Sequence, residues 1–391
     1  MKEHRLELAD IFRTHQKDFL ARWNPVLSRQ QRKALRDIRD CRTAALGGHL
    51  QQCDRCGHRV ILYNSCRNRH CPKCQATARA RWLADRQAEL LPVPYFHVVF
   101  TLPQQIGRLA LQNAKQIYTI LFRAASQTLL ETAADPRLLG ASIGFLAVLH
   151  TWGQNLHLHP HLHCVVPGGG ISPDGSRWIA CRKSSFFLPV RVLSHRFRKK
   201  FLRQLGQAFR KGTLRFSGEL RPLADPAAFR ALREKVASID WVVHAKPPFG
   251  GPQRVLKYLA RYTHRVAISN HRLRSLEQGR VAFEWKDYAD HGRTKTMILD
   301  ALEFIRRFLL HVLPAGMVRI RQFGFLANRV RKGKLELCRT LLAVREPATP
   351  IGSDGAGPDL PDAHACPVCK TGRLIVIELL RAEPTALQDT S

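Results

Sequence analysis

His157-Leu158-His159-Pro160-His161-Leu162-His163-Cys164-Val165-Val166 decides how the middle of this chain is read. Proline has no ladder donor, so Pro160 marks the entry to a strand rather than its middle. From His161 onward the side chains alternate: His161, His163 and Val165 share one face, Leu162, Cys164 and Val166 the other. Two imidazoles on one face of a short apolar strand can chelate one cation. Buried with nothing to bind, they would cost desolvation for little return. The plainer reading is that a chain with 18 histidines gathers some of them by chance, since histidine is also a routine hydrogen-bonding residue.

Working outward, 391 residues allow two or three domains and a sizeable core. A composition of 45 % hydrophobic and 24 % charged residues is ordinary for a soluble protein. The charge balance is not ordinary: 63 Lys and Arg stand against 30 Asp and Glu, a formal +33 spread through every segment except the far C-terminus. Such an excess calls for a polyanionic partner. The chain has no 18-residue apolar run, and Met1-Lys-Glu-His-Arg-Leu-Glu7 lacks the apolar core of a signal peptide, which argues against a membrane. The expectation is DNA or RNA in the cytoplasm, with nucleoid association when bound to DNA. His157 and His159, ahead of the proline, are then read as loop residues, solvated or facing DNA.

Eleven cysteines is an odd number, and five of them crowd into residues 53–74, which in the cytoplasm points to metal rather than disulfides. Cys53-Asp-Arg-Cys56 and Cys71-Pro-Lys-Cys74 are separated by fourteen residues. Each turn can set two thiolates on a tetrahedral cation. Together they predict one closed, structural zinc site of Cys53, Cys56, Cys71 and Cys74, with Cys66, His58 and His70 also within reach. Arg55, Arg59, Arg67, Arg69, Lys73, Arg79 and Arg81 surround it and suit phosphate contacts. Cys366-Pro-Val-Cys369 is half of a further site whose partners are not evident; Cys338 and His364 are conceivable contributors.

Apolar spacing predicts two helices within residues 5–45, the second capped by Ser28 and ended by Gly47-Gly48. Strands are expected at Tyr95–Thr101, Ser142–Thr151, His161–Val166, around Trp178 and at Trp241–His244, with helices through residue 133 and over 190–210. His97 is a possible further ligand if its strand neighbours 161–166, though a structural histidine is the plainer reading. Helices alternate with hairpin-linked strands, so the class is α+β with a mainly antiparallel sheet flanked by helices, preceded by a helical and zinc-ribbon-like N-terminal module. The divisions are a helical segment 1–46, a zinc-binding domain 47–91, a catalytic domain 92–270, a basic extension 271–344, a flexible linker 345–365 and a tail 366–391.

The second chemical element is Gly250-Gly-Pro-Gln-Arg254-Val-Leu-Lys257-Tyr258-Leu-Ala-Arg261-Tyr262-Thr-His-Arg265. Read as a helix, it puts Arg254, Tyr258, Arg261, Tyr262 and Arg265 on one stripe. Two phenols one turn apart among guanidinium groups are a poor core. They can stack on bases, or one can attack a phosphodiester. A phenol is ionised in about one molecule in a thousand at neutral pH, and neighbouring cations raise that fraction. A phosphotyrosine then stores the broken bond, while a cation on His161 and His163 polarises the scissile phosphate. Arg254, Lys257, Arg261 and Arg265 are candidate phosphate contacts.

These residues resemble the rolling-circle transposases of the insertion sequence 91 family, members of the HUH endonuclease superfamily. The agreement runs from about Cys41 to Leu342. It includes Cys41-Arg-Thr-Ala-Ala-Leu-Gly-Gly-His49, Tyr63-Asn-Ser-Cys-Arg-Asn-Arg-His-Cys-Pro-Lys-Cys74, Tyr95-Phe-His-Val-Val-Phe-Thr-Leu-Pro103, Pro160-His-Leu-His163, Tyr258-Leu-Ala-Arg-Tyr262 and Phe323-Gly-Phe-Leu-Ala-Asn328. The resemblance implies an HUH-like sheet, a zinc-binding N-terminal module, and a transposase that nicks and rejoins single-stranded transposon ends and target. It casts Tyr258 and Tyr262 as nucleophiles and His161 and His163 as ligands of Mg2+ or Mn2+, with a third ligand that varies among members; Gln253 and His97 are candidates. A replication initiator or conjugative relaxase would use the same chemistry. A non-catalytic zinc protein with stacking tyrosines, or a small-molecule hydrolase, would not.

Overall fold

The computed structural model describes residues 5–75, 82, 87, 89–183, 187–249, 267–288, 290–343 and 365–383. Tyr258, Tyr262, Arg254, Lys257, Arg261, Arg265 and Gln253, and the expected linker up to His364, lie outside the described residues.

In chain order, helices α1 (Leu8–Trp23) and α2 (Arg29–Arg39) lead into strands β1 (Gly48–Cys53) and β2 (Arg59–Tyr63). Strand β3 (Tyr95–Thr101) precedes helices α3 (Gly107–Gln112) and α4 (Ala114–Ala134), then strands β4 (Gly144–Trp152), β5 (Leu158–Pro167), β6 (Gly169–Ile171) and β7 (Trp178–Ala180). Helices α5 (Val190–Arg210) and α6 (Pro226–Ala237) follow, then strands β8 (Val243–Phe249), β9 (Leu273–Glu277), β10 (Arg280–Asp287) and β11 (Arg293–Asp300). Helix α7 (Ala301–Leu309), strand β12 (Ile320–Gly324), helix α8 (Arg331–Leu341) and strand β13 (Leu374–Leu380) complete the order. The class is the expected one: among the described residues every strand pairing is antiparallel, and helices flank the sheets.

The largest sheet has the order β12-β4-β5-β3-β8, so the histidine-bearing β5 is its middle strand. One face is covered by α4 and α5. There Leu162, Cys164 and Val166 of β5 meet Phe100 and Leu149 from the neighbouring strands, with Leu121 of α4 and Phe197 of α5 in the same core. Phe197 stands edge-on to both Phe100 and Trp241, with ring centroids about 5 Å apart. The alternation read from the sequence therefore holds, and it leaves His161, His163 and Val165 on the opposite face.

Ser28 caps α2 as expected, its hydroxyl accepting from the Gln31 amide while the Gln31 side chain takes the Ser28 N–H. The helix ends at Arg39, well before Gly47-Gly48. Those glycines serve another purpose: a Cβ on Gly47 (φ +65°) would lie 2.6 Å from the Leu380 carbonyl, and one on Gly48 2.6 Å from the Leu62 carbonyl. They let three strands close into the sheet β13-β1-β2. The two N-terminal helices bury Ile11, Phe12, Leu35 and Ile38 in one core with Val281, Phe283, Phe304 and Phe308 from β10 and α7. Residues more than 240 positions apart in sequence thus share a hydrophobic interior.

Candidate functional site

Three imidazoles converge on the face of the central sheet opposite α4 and α5. His150 of β4 and His161 and His163 of β5 present ring nitrogens that all lie within 4.8 Å of one another. The local backbone explains why. Trp152 pairs with Leu158, and in that register His161 would stand opposite Leu149, which belongs to the core face. Instead two residues of β5, His159 and Pro160, stand against the single Thr151, and beyond this bulge His150 pairs with His161. One extra residue carries His150 to the histidine face. The expectation that Pro160 opens the strand is corrected here: it lies inside β5, tolerated because the bulge asks for no ladder donor there. His157 and His159 are exposed, in keeping with their reading, although His159 is already in the strand.

The rings are held from behind. His161 Nδ1 is 2.6 Å from the His159 carbonyl, so it donates that proton and leaves a lone pair on Nε2. His161 Nε2 and His163 Nε2 face each other at 3.0 Å. His163 Nδ1 meets His97 Nε2 of β3 at 2.8 Å, with the two rings nearly parallel. Burial first, then the nearby Lys246 charge, pushes His97 down to about 3, so it is neutral. His97 backs His163 and is not itself part of the convergent group, whose third member is His150. His150 in turn stacks on Trp152. This donor set fits a divalent cation: one nitrogen on each of three side chains, with hydrogen-bonded partners behind two of the rings.

The cysteines form two four-sulfur clusters, and the expected single site of Cys53, Cys56, Cys71 and Cys74 is corrected accordingly. Cys71 and Cys74 join Cys41 and Cys66; Cys53 and Cys56 join Cys366 and Cys369. Neighbouring sulfurs stand 3.6 Å apart in both. That is far beyond a disulfide and close to the ~3.8 Å edge of a tetrahedron with Zn–S bonds of about 2.3 Å. In the first cluster hydrogen bonds from Cys66 and Cys71 hold the Cys41 thiol well below the usual range, while Cys66 is pushed far up. The donor set is that of a structural zinc site in each case. Cys41, two residues past α2, reads in the sequence as the end of that helix's apolar stripe, whereas Cys66 lies within reach of the Cys-x-x-Cys pairs.

Two of the basic residues expected at phosphates have other duties. Arg69 donates to the carbonyls of Leu313, Pro314 and Met317, and Lys73 pairs with Glu7. On α5, Lys200 and Arg196 pair with Glu131 and Asp135 of the α4 end, whereas Arg191, Lys199 and Arg203 are exposed. Among the described residues no helix is long and apolar enough to cross a membrane.

Two family models match the chain: one described as "Putative transposase" over residues 144–334, the other as "Transposase zinc-binding domain" over residues 11–102. The chain is 55 % identical to the "Putative transposase y4qJ" of Sinorhizobium fredii (strain NBRC 101917 / NGR234) over 95 % of both chains. It is 29 % identical to the "Transposase for insertion sequence element IS801" of Pseudomonas savastanoi pv. phaseolicola, over 74 % of this chain and 68 % of that one. The conjugative relaxase TrwC, solved with OriT DNA and metal, aligns with 43 % of this chain and 70 % of its own at 14 % identity. Its TM-score of 0.24 is too low to bear on the fold or the site.

Proposed function

Since the chain belongs to the insertion sequence 91-like family of rolling-circle transposases and carries its zinc-binding N-terminal domain, we propose that this DNA transposase nicks and rejoins single-stranded transposon ends and target through a 5′-phosphotyrosine formed by Tyr258 or Tyr262. The observation that carries the reading is the convergence of His150, His161 and His163 on the middle strands of the sheet, on the face opposite α4 and α5. Those three residues would hold Mn2+ or Mg2+, which would polarise the scissile phosphate and favour departure of the 3′ oxygen. Three nitrogen donors with phosphate oxygens suit Mn2+ better than the harder Mg2+. Arg254, Lys257, Arg261 and Arg265 would neutralise the strand beside the tyrosines. Phenolate oxygen attacks phosphorus, the 3′ oxygen leaves and takes up a proton, and the bond energy is kept for rejoining. Cys41, Cys66, Cys71 and Cys74 hold a structural zinc in this reading.

Single-stranded element ends incubated with the protein and Mn2+ should give an adduct that survives a denaturing gel and is lost with EDTA. Tyr258→Phe and Tyr262→Phe together should abolish it. An adduct formed by the double variant would remove the tyrosine mechanism. DNA binding with no adduct in the unaltered protein would leave a zinc-containing binding protein instead.

A further inference from the structure

The second sulfur cluster joins the two ends of the chain. Cys56 Sγ and Cys366 Sγ are 3.6 Å apart although 310 residues separate them in sequence. Cys53 and Cys56 fall in the span matched as a zinc-binding domain, whereas Cys366 and Cys369 lie beyond both matched spans. The two Cys-x-x-Cys turns face each other as mirror pieces. In the first, Cys53 N–H donates to the His58 carbonyl and Gly57 N–H to that of Cys53; in the second, Cys366 N–H donates to Gly372 and Lys370 N–H to Cys366. Backbone N–H groups of Arg55 and Cys56 point at Cys53 Sγ, and that of Gly372 at Cys369 Sγ. Such donors favour sulfur in its charged form. Gly372 itself has no room for a side chain, since a Cβ there would sit 2.4 Å from Cys53 Sγ.

Apart from the backbone pairing of β13 with β1, little among the described residues holds this end of the chain. Five of the seven residues of β13 are exposed, Ile375, Val376, Ile377 and Leu379 among them, so the strand buries almost nothing. The buried cluster beneath it consists of Cys53, Cys366 and Leu374, with Val60 and Cys369 at its margin. A core of that size does not order a strand by apolar burial, whereas metal binding contributes folding free energy directly. Asp54 N–H donates to the Arg373 carbonyl and Arg373 N–H to the Asp54 carboxylate, which carries the pairing up to the cysteines.

We propose that Cys53, Cys56, Cys366 and Cys369 bind a zinc ion of their own, distinct from any ion at Cys41, Cys66, Cys71 and Cys74, and that this ion latches the C-terminal strand onto the N-terminal hairpin. The nicking chemistry is not involved, so loss of DNA cleavage and loss of the latch are separable results.

The test uses the full chain. Fully cobalt-substituted protein should show thiolate-to-cobalt charge-transfer intensity for eight Co–S bonds, about twice that of one four-sulfur site; intensity for four overturns the proposal. The variant C366S/C369S should lose one zinc and half of that intensity, and an unchanged zinc content overturns it equally. For the latch, a specific protease sequence is inserted between residues 345 and 363. After cleavage the C-terminal fragment should co-elute with the rest of the zinc-loaded protein, and in the C366S/C369S background it should separate. A fragment retained without those sulfurs would show that strand pairing alone holds it, and the latch fails. Should C366S/C369S not fold, Cys369→His keeps a zinc-competent set: it should retain the fragment with one thiolate fewer in the cobalt spectrum, and release of the fragment by this variant while it still carries both ions overturns the latch.

Discussion

Replacing His97 by alanine tests the support behind the histidine ledge. His97 Nε2 lies 2.8 Å from His163 Nδ1, and the two residues are only 2 % and 8 % exposed. Removing the ring withdraws that partner inside the protein, opens a void beside the His163 ring and lets it turn. Loss of such a partner typically costs about 10–100-fold in metal affinity. That corresponds to about 1.4–2.8 kcal/mol, in line with the ~1–3 kcal/mol of a buried polar group left unsatisfied. The apparent Kd for Mn2+, read from the electron paramagnetic resonance signal of the free ion, should therefore rise ~10–100-fold. Nicking at saturating Mn2+ should stay within a few-fold of the parent, because His97 touches a ligand and not the substrate. His97→Gln, whose Oε1 can accept from His163, should recover part of the affinity. An unchanged Mn2+ affinity in His97→Ala would refute the supporting role. So would a loss of nicking that saturating metal does not restore, which would make His97 a direct participant.

Two further perturbations follow from the same structure. His311 is fully buried between the Leu156 carbonyl (3.1 Å) and Thr151, and burial pushes it down to about 4. Its folded value lies below the unfolded ~6.5, so the stability it contributes is complete above that pH, falls between 6.5 and 4, and is exhausted below. Between pH 7 and 5 this one group should take away about 2 kcal/mol in chemical denaturation, and His311→Gln should flatten the slope; an equal slope in the variant would refute the assignment. Phe308 of α7 is 1 % exposed and meets Phe12 of α1 edge-on at 5.6 Å. Phe308→Ala should cost about 3–5 kcal/mol and should also speed protease cleavage around Asn24-Pro25, since the N-terminal helices lose their seat; cleavage unchanged there would mean that those helices are held independently.

What was legible in the sequence was local. The alternation of His161–Val166, the Ser28 N-cap, the strand Tyr95–Thr101 and the helix 190–210 each depend on residues a few positions apart, and each stands where the pattern put it. What escaped depends on pairing between distant segments. His150 reaches the ledge only because a bulge shifts one strand pair by a residue, and the sole trace of that bulge in the sequence is Pro160, which reads equally well as a strand entry. The cysteines show the same limit. Two Cys-x-x-Cys turns fourteen residues apart invite closure on each other, but proximity in sequence does not decide which sulfurs meet. Cys41 is placed by the end of α2, and Cys366 and Cys369 by the pairing of β13 with β1. The spacing supplied the right ligand type and the wrong partners.

The imidazole chain also explains why the residue behind the ledge must be uncharged and able to either donate or accept. His97 can donate from Nε2 to His163 Nδ1, His163 from Nε2 to His161 Nε2, and His161 from Nδ1 to the His159 carbonyl, so each of these contacts has one donor and one acceptor. An ion on the ledge requires a lone pair on His163 Nε2. The chain can supply one without gaining or losing a proton: His163 moves its hydrogen to Nδ1 and donates to His97, whose Nε2 becomes the acceptor. A neutral His97 can take either part, whereas an imidazolium can only donate and would keep the His163 proton facing the ion. Burial excludes that form by holding His97 at about 3. A lysine or arginine at position 97 could fill the volume and make a hydrogen bond but never accept one. The requirement is for a side chain that is buried, neutral and able to exchange roles, and at this position on β3 imidazole meets all three.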